Sequence, residues 1–260
     1  MPRFARISIV PSFVMAAICL SPTSGCRVPD RTHQVEHHGP MRQVLREGRT
    51  EPRVHLADLD DRGFTVAVGA LAGLEGEVTV LDGEVWVARV EDGQLLVEGP
   101  EPRNDDAATL LSMARVAGWT RTPLTDAAGR PVSGPGLTGR TLEAAIAAGA
   151  VRHGIDAAEP FAFVIEGTML ELDLHVINGA CPRAGRPSPE TTPWRWSTDE
   201  PVEAIIVGVH AEGREGEMTH HGSSIHVHAM LDVGGRLITG HVDQLRVGPS
   251  HLRLPHSDQN

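Results

Sequence analysis

Residues 224–230 have the sequence Ser-Ile-His-Val-His-Ala-Met, and residues 240–242 have the sequence Gly-His-Val. In the first segment, apolar residues alternate with His226 and His228, which is the period of a half-buried β-strand. Side chains two apart on a strand point to the same face. The alternation therefore predicts a strand that presents two imidazoles on one side.

The return strand is predicted by Gly234 and Gly235, which favour a two-residue hairpin loop. A hairpin centred on this pair places His241 directly opposite His228, and directly opposed residues have Cβ atoms roughly 4.5–5.5 Å apart. Three imidazoles that meet in this way predict a metal site with open coordination positions, the pattern of catalytic zinc. The prediction depends on loop length, because a one-residue slip would turn His241 to the other face. The alternative is that these are ordinary polar residues in a chain with 14 histidines.

Composition limits the functions to consider. The chain has 260 residues, enough for one large domain or two small ones, each with its own core. Its formal net charge of −11 argues against nucleic acid as a partner. No phosphate-binding loop, dinucleotide fingerprint or nucleophile elbow is present in the sequence.

The N-terminus has the features of an export signal. Two arginines precede a mostly apolar stretch at residues 7–20, and residues 23–26, Thr-Ser-Gly-Cys, resemble a bacterial lipobox. We therefore expect residues 1–25 to be a signal peptide and the protein to be exported, either soluble in the periplasm or anchored to the membrane as a lipoprotein through Cys26. Without lipidation, Cys26 could form a disulfide with Cys181 in an oxidising compartment.

We interpret the rest of the chain as a linker at residues 26–50, one domain at residues 51–256 and a short tail at residues 257–260. The fold class that we expect is α+β, with mostly antiparallel or mixed β-sheet in two β-rich lobes and a few helices. Besides the histidine hairpin, whose return strand we place at residues 237–247, the patterns predict helices at 107–117 and 141–151, the second with Thr141 as its N-cap. They also predict a hairpin turn at Asp82 and Gly83, a turn at Glu166 and Gly167, and strands at 64–71, 76–81, 84–90, 94–97, 161–165, 169–177 and 202–210. We expect the strands between residues 64 and 98 to form a β-meander.

Several short segments, taken in order, resemble the bacterial acetolactate decarboxylases. The resemblance covers roughly residues 50–256 and is carried by Gly-Ala-Leu at 69–71, Leu-Glu-Gly-Glu at 74–77, Leu-Asp-Gly at 81–83, Ile-Glu-Gly-Thr at 165–168, Cys-Pro-Arg at 181–183, His-Val-His at 226–228, Gly-His-Val at 240–242 and Leu-Arg-Leu-Pro at 252–255.

The resemblance implies a lyase that uses Zn²⁺ to decarboxylate 2-acetolactate to acetoin. In that case His226, His228 and His241 hold the zinc ion and Glu77 is a catalytic residue. The implied partner is a small-molecule 2-hydroxy-3-oxo acid, and family members are commonly homodimers.

The sequence also departs from the family pattern. An ungapped count from Gly167 places His175 where the family has an active-site arginine, whereas a count back from Pro182 places Gly179 there. A late C-terminal glutamate has no match. An arginine holds a carboxylate through two parallel hydrogen bonds, which a histidine cannot do. His175 and Arg183 are therefore candidate substrate-binding residues, and Asp243 is a candidate for orienting an imidazole.

These departures leave other functions open. One is a related enzyme, such as an enolising isomerase or a hydrolase, that uses the same metal site. Another is an exported zinc-binding lipoprotein without decarboxylase activity. His220 and His221, just before the hairpin, could act as acid, base or further ligand, or could be ordinary loop residues.

Overall fold

The computed structural model describes residues 34–59, 64–101, 103, 105–180 and 188–256. These residues form two seven-stranded sheets whose paired strands are antiparallel, together with two α-helices. The expected α+β class with two β-rich parts is confirmed. No helix in the described part of the chain has the length and apolar character needed to span a bilayer.

The first sheet is built from the N-terminal half of the chain, in the strand order β1-β7-β3-β4-β5-β6, with β2 also paired to β7. Its strands are β1 (Val35–His38), β2 (Val54–His55), β3 (Phe64–Leu71), β4 (Glu77–Leu81), β5 (Glu84–Glu91), β6 (Gln94–Glu98) and β7 (Ala107–Val116). The predicted β-meander over residues 64–98 is confirmed. Asp82 and Gly83 form its first turn, and both adopt positive φ as a two-residue hairpin loop requires.

The second sheet is built from the C-terminal half, in the order β11-β10-β12-β13-β14-β8, with β9 paired to β14. Its strands are β8 (Trp119–Pro123), β9 (Leu137–Thr138), β10 (Phe161–Val176), β11 (Trp194–Thr198), β12 (Val202–His210), β13 (Ile225–Val233) and β14 (Arg236–Pro255). Strand β10 also pairs with β14, so the pairings of β10, β12, β13 and β14 form a closed ring. Closure leaves these four strands without a free edge along the paired segments.

The histidine hairpin has the predicted register. Gly234 and Gly235 have φ values of 64° and 85°, the left-handed pair that a two-residue loop needs, and the Gly235 N–H donates to Asp232 Oδ1 over 2.9 Å. His228 therefore pairs directly with His241. The return strand runs well beyond the predicted end, to Pro255.

The two helices are α1 (Met41–Glu47) and α2 (Gly139–Arg152). Helix α2 was predicted, but its N-cap is Thr138, which forms a capping box with Thr141. Its apolar face, with Leu142 and Ile146 fully buried, packs against the second sheet. Burial of side chains of this size stabilises the fold by about 1.5–3 kcal/mol each.

Three local predictions are wrong. Residues 107–117 form strand β7, not a helix, because this strand lies inside the sheet and nine of its ten residues are buried. Glu166 and Gly167 form no turn, since β10 is continuous; a Cβ on Gly167 would lie 2.7 Å from Ser250 Oγ, so the glycine allows the close approach of β14 at a register shift. Part of the expected linker is ordered structure, because β1 and α1 lie within residues 26–50.

Both sheets contribute to a shared apolar interface. Val66 and Val68 of the first sheet pack in one cluster with Val207, Val209 and Met230 of the second. This packing brings the start of β4 against the histidine face of the β13–β14 hairpin, which positions the site described next.

Candidate metal centre

Three histidines of the hairpin meet on one face of the second sheet. His226 and His228 come from β13 and His241 from β14, and each offers a ring nitrogen within 4.8 Å of the others. Their ring centres are 5.1 to 5.7 Å apart. All three side chains are buried, and His228 is fully enclosed. The arrangement can hold one metal ion.

The protonation state of these imidazoles suits a metal ligand. Burial lowers the pKa of His228 to about 3, with His175 adding a smaller effect. Burial also holds the pKa values of His226 and His241 well below the ordinary range, and the neighbouring histidines lower them further. Neutral imidazole is the form that binds a metal.

Unused nitrogen atoms give a second indication. Among the described residues, His226 Nδ1 and His228 Nε2 are buried without a hydrogen-bond partner. Unpaired buried polar atoms are costly, so such atoms call for an unseen partner. Three neutral imidazoles, two of them with a buried nitrogen that has no hydrogen-bond partner, fit Zn²⁺, which takes histidine nitrogen readily and in catalytic sites keeps a position for substrate.

The other nitrogen of His228 is fixed by the first sheet. Thr79 Oγ1 lies 2.9 Å from His228 Nδ1 and 3.0 Å from Thr239 Oγ1, and all three groups are buried. If Nε2 is the ligand atom, Nδ1 carries the proton and donates to Thr79, whose own hydroxyl then donates to Thr239. Strand β4 therefore sets the tautomer of a histidine on β13.

Glu77 stands beside this histidine. Its Oε2 lies 3.6 Å from His228 Nε2, and the carboxyl accepts the backbone N–H of Ile177. Burial raises the pKa of Glu77 well above its usual range; the Ile177 bond opposes this and the charge of Asp243 adds to it. With His228 neutral as well, the contact joins two uncharged groups and is not an ion pair. A bound dication would favour the ionised carboxylate.

His175 occupies the position opposite His241 on β10 and is buried. Its Nδ1 lies 2.8 Å from Asp243 Oδ2, which also accepts a bond of 2.9 Å from Arg195 Nη1. Asp243 thus orients an imidazole, but that imidazole is His175 and not one of the three clustered histidines. The Asp243 carboxylate accepts the hydrogen bond from Nδ1–H, so Nε2 is the ring nitrogen that remains for another group.

His226 and His241 of the cluster line a cavity of about 400 Å³, counting the part open to solvent. Its polar side consists of His175, His220, His226, His241 and Glu77. Its other side is apolar and is lined by Met41, Leu45, Gly69, Ala70, Leu110 and Ile177. None of the described residues that line this cavity is an arginine.

The structure brings most of the sequence-derived candidates together. His226, His228, His241, Glu77, His175 and Asp243 all lie at this site, whereas Arg183 lies outside the described residues. Thr79 was not predicted, although it shares a strand face with Glu77 two residues away. Arg195 and the wall that α1 contributes were not predicted either.

The sequence matches no protein-family model. It also matches no curated protein. Solved structures do match over 86% of this chain and 86% of theirs: α-acetolactate decarboxylase from Bacillus subtilis strain 168 (TM-score 0.61, 17% identity), acetolactate decarboxylase from Bacillus subtilis subspecies spizizenii (0.60, 17%) and a Staphylococcus aureus protein of unknown function similar to α-acetolactate decarboxylase (0.58, 16%). At this identity the likeness concerns the fold, and it confirms the fold that the sequence resemblance implied.

Proposed function

We propose that the protein is a zinc-dependent lyase that decarboxylates 2-acetolactate, or a related 2-hydroxy-3-oxo acid, to acetoin and CO2. The observation that carries the proposal is the group of three buried, neutral imidazoles, two of which line a small cavity, in a fold shared with acetolactate decarboxylases. A zinc ion held by His226, His228 and His241 would supply a Lewis acid for the substrate oxygens and for the negative charge that develops as CO2 leaves.

Glu77 is the group best placed to handle a proton. Its carboxyl lines the cavity, where burial favours the protonated form and a bound zinc ion would favour the ionised form, so the group can both take up and return a proton. The Ile177 N–H holds the carboxyl in one orientation. After CO2 leaves, the substrate carbon needs a proton, and a positioned carboxylic acid can donate it.

His175 would bind the hydroxyl group of the substrate. Because Nδ1–H donates to Asp243, the neutral form of the ring can accept a hydrogen bond from a 2-hydroxy group at Nε2. Arg195 holds Asp243 from the far side, which keeps the ring in place. His175 thus differs in role from the arginine that the family has at this position, since arginine only donates.

The apolar wall favours loss of the carboxylate. A carboxylate that enters this cavity loses hydration against side chains such as Leu110 and Met41, and the described lining residues provide no arginine to replace it. Uncharged CO2 does not incur this cost. Desolvation of the leaving carboxylate therefore lowers the barrier to decarboxylation.

The test is acetoin formation from racemic acetolactate by zinc-loaded protein, beside an active decarboxylase as assay control. We expect activity in the wild type and a loss of roughly 10²–10⁴-fold in Glu77→Gln, the usual contribution of a general acid. The matched control is Glu75→Gln, because Glu75 is exposed and two residues away. A zinc-loaded wild type that forms no acetoin would overturn the proposed reaction.

A second candidate is an enolising isomerase that acts on an uncharged 2-hydroxy ketone. It is favoured by the absence of arginine among the described lining residues and by the acceptor that His175 presents. It predicts deuterium uptake at the carbinol carbon of acetoin in D2O, followed by NMR, with no acetoin formed from acetolactate. Zinc binding with neither activity would support a zinc-binding protein.

Export, and lipid anchoring at Cys26, stay predictions from the sequence. Residues 1–33 lie outside the described residues, as do Cys181 and the tail at 257–260. Fractionation of cells with labelled fatty acid would test both predictions together.

A further inference from the structure

A fourth histidine stands at the rim of the cluster. His220 lies in the loop between β12 and β13, and its ring centre is 4.9 Å from that of His241 and 6.2 Å from that of His226. It lines the cavity together with these two residues. It also lines a second, more open and more polar cleft that contains Asp243 and the start of α2. His220 and His241 are common to both cavities.

The ring spacing allows a comparison with metal geometry. Zinc–nitrogen distances of about 2.0–2.1 Å at near-tetrahedral angles place two ligating rings about 5 Å apart, centre to centre. The three hairpin rings have this spacing, and so does the pair His220 and His241. The separation from His226 is longer, at 6.2 Å against 5.1 Å for His226 and His241. The His220 ring would have to move toward the other three rings to enter the coordination sphere of an ion that they hold.

The backbone of this loop is well held. The Gly216 N–H donates to Thr219 O over 2.7 Å, and Thr219 Oγ1 donates to Ser223 O over 2.7 Å. Ser223 Oγ donates to Glu143 on α2 over 2.8 Å. The N–H groups of Met41 and Arg42 on α1 donate to Glu217 O and Gly216 O over 2.8 Å each. The loop is thus fastened to both helices, so the required shift belongs to the His220 side chain.

We propose that His220 is a fourth protein ligand of the resting metal site and leaves it when substrate enters. This inference rests on the proposed function, because it needs the same metal ion. Four imidazoles close the coordination sphere and retain the metal, whereas three leave a position for substrate. Since His220 lines both the cavity and the cleft, its movement would also change the wall between them.

The test uses cobalt in place of zinc, because the visible absorption of Co²⁺ reports the number and arrangement of its ligands. His220→Ala and His220→Gln are compared with the wild type, and the matched control is His221→Ala, which removes the neighbouring exposed histidine outside the cavity. We expect both His220 variants to change the cobalt spectrum and to release zinc to a chelator at least tenfold faster. The control should behave as the wild type does.

Two outcomes would overturn the inference and are distinguishable. If the His220 variants keep the wild-type cobalt spectrum and rate of zinc release, His220 is not a ligand, and the three-histidine site and the proposed reaction stand. If the wild type takes up neither cobalt nor zinc, the proposed function falls and this inference falls with it. Circular dichroism of both variants identifies a loss of fold. If one variant is misfolded, the cobalt spectrum and zinc release of the other variant decide whether His220 is a ligand.

Discussion

Replacement of Thr79 by valine tests how the first sheet controls the metal site. Valine has the same branched shape but cannot accept a hydrogen bond from His228 Nδ1, which lies 2.9 Å from the threonine hydroxyl. Thr239 loses a hydrogen bond of 3.0 Å in the same change. Nδ1 is then left buried and unpaired if Nε2 binds the metal.

The magnitude follows from two separate effects. A hydrogen-bond partner behind a metal-binding histidine usually contributes 10–100-fold in metal affinity, which is about 1.4–2.8 kcal/mol. A buried donor left without a partner lowers the free energy of unfolding by about 1–3 kcal/mol. Thr79→Ser keeps the hydroxyl and loses one methyl group, so it should cost about 1 kcal/mol in stability and little zinc affinity.

The assay is competition for zinc with a chromogenic chelator, together with urea unfolding of the metal-free protein. We expect Thr79→Val to bind zinc 10–100-fold more weakly than Thr79→Ser. Equal zinc affinity in the valine and serine variants would refute the role that we assign to Thr79, because the two differ in the hydroxyl group that should matter.

Three further predictions concern pH, the His175 support and the cavity wall. The metal-free protein should lose stability as pH falls below 6.5, because the His228 pKa is about 3 in the folded state and only the unfolded chain binds the proton in between. At pH 4.5 the contribution of His228 lowers the free energy of unfolding by roughly 3 kcal/mol. Urea unfolding at each pH should show this loss, and an equal loss in the His228→Gln variant would contradict it. Asp243→Asn should lower kcat about tenfold or more at unchanged zinc content, since the charged support of His175 is lost; normal kcat would count against that support. Gly69→Ala should lower the free energy of unfolding by about 1–3 kcal/mol or more, because its Cβ would lie 2.0 Å from Leu110 O; an unchanged urea midpoint would exclude this clash.

The hairpin could be predicted from sequence because its determinants are local. Alternation fixed which residues share a face, and the Gly234–Gly235 loop fixed the register, so His228 and His241 could be paired without knowledge of the rest. The same holds for the Asp82–Gly83 turn.

Strand β7 could not be predicted in this way. Its sequence, Ala-Ala-Thr-Leu-Leu-Ser-Met-Ala-Arg-Val, is rich in helix-favouring residues and lacks the alternation of a half-buried strand. It pairs with β3 on one side and with β1 and β2 on the other, and both of its faces are covered. Such burial is a property of the assembled sheets, which override local preference.

The complete site was also beyond the sequence. Thr79 and His228 are 149 residues apart and meet only because the two sheets pack together. Arg195 reaches Asp243 because β10 continues to Val176 and pairs with β11, whereas a turn at Gly167 would have separated them. The α1 wall was missed because its residues were assigned to a linker.

The most direct measurement is anomalous X-ray scattering at the zinc edge from crystals of the zinc-loaded protein. We expect one strong peak within about 2.0–2.1 Å of ring nitrogens from His226, His228 and His241. Zinc-replete crystals with no peak at this hairpin, or with zinc bound only elsewhere, would contradict it.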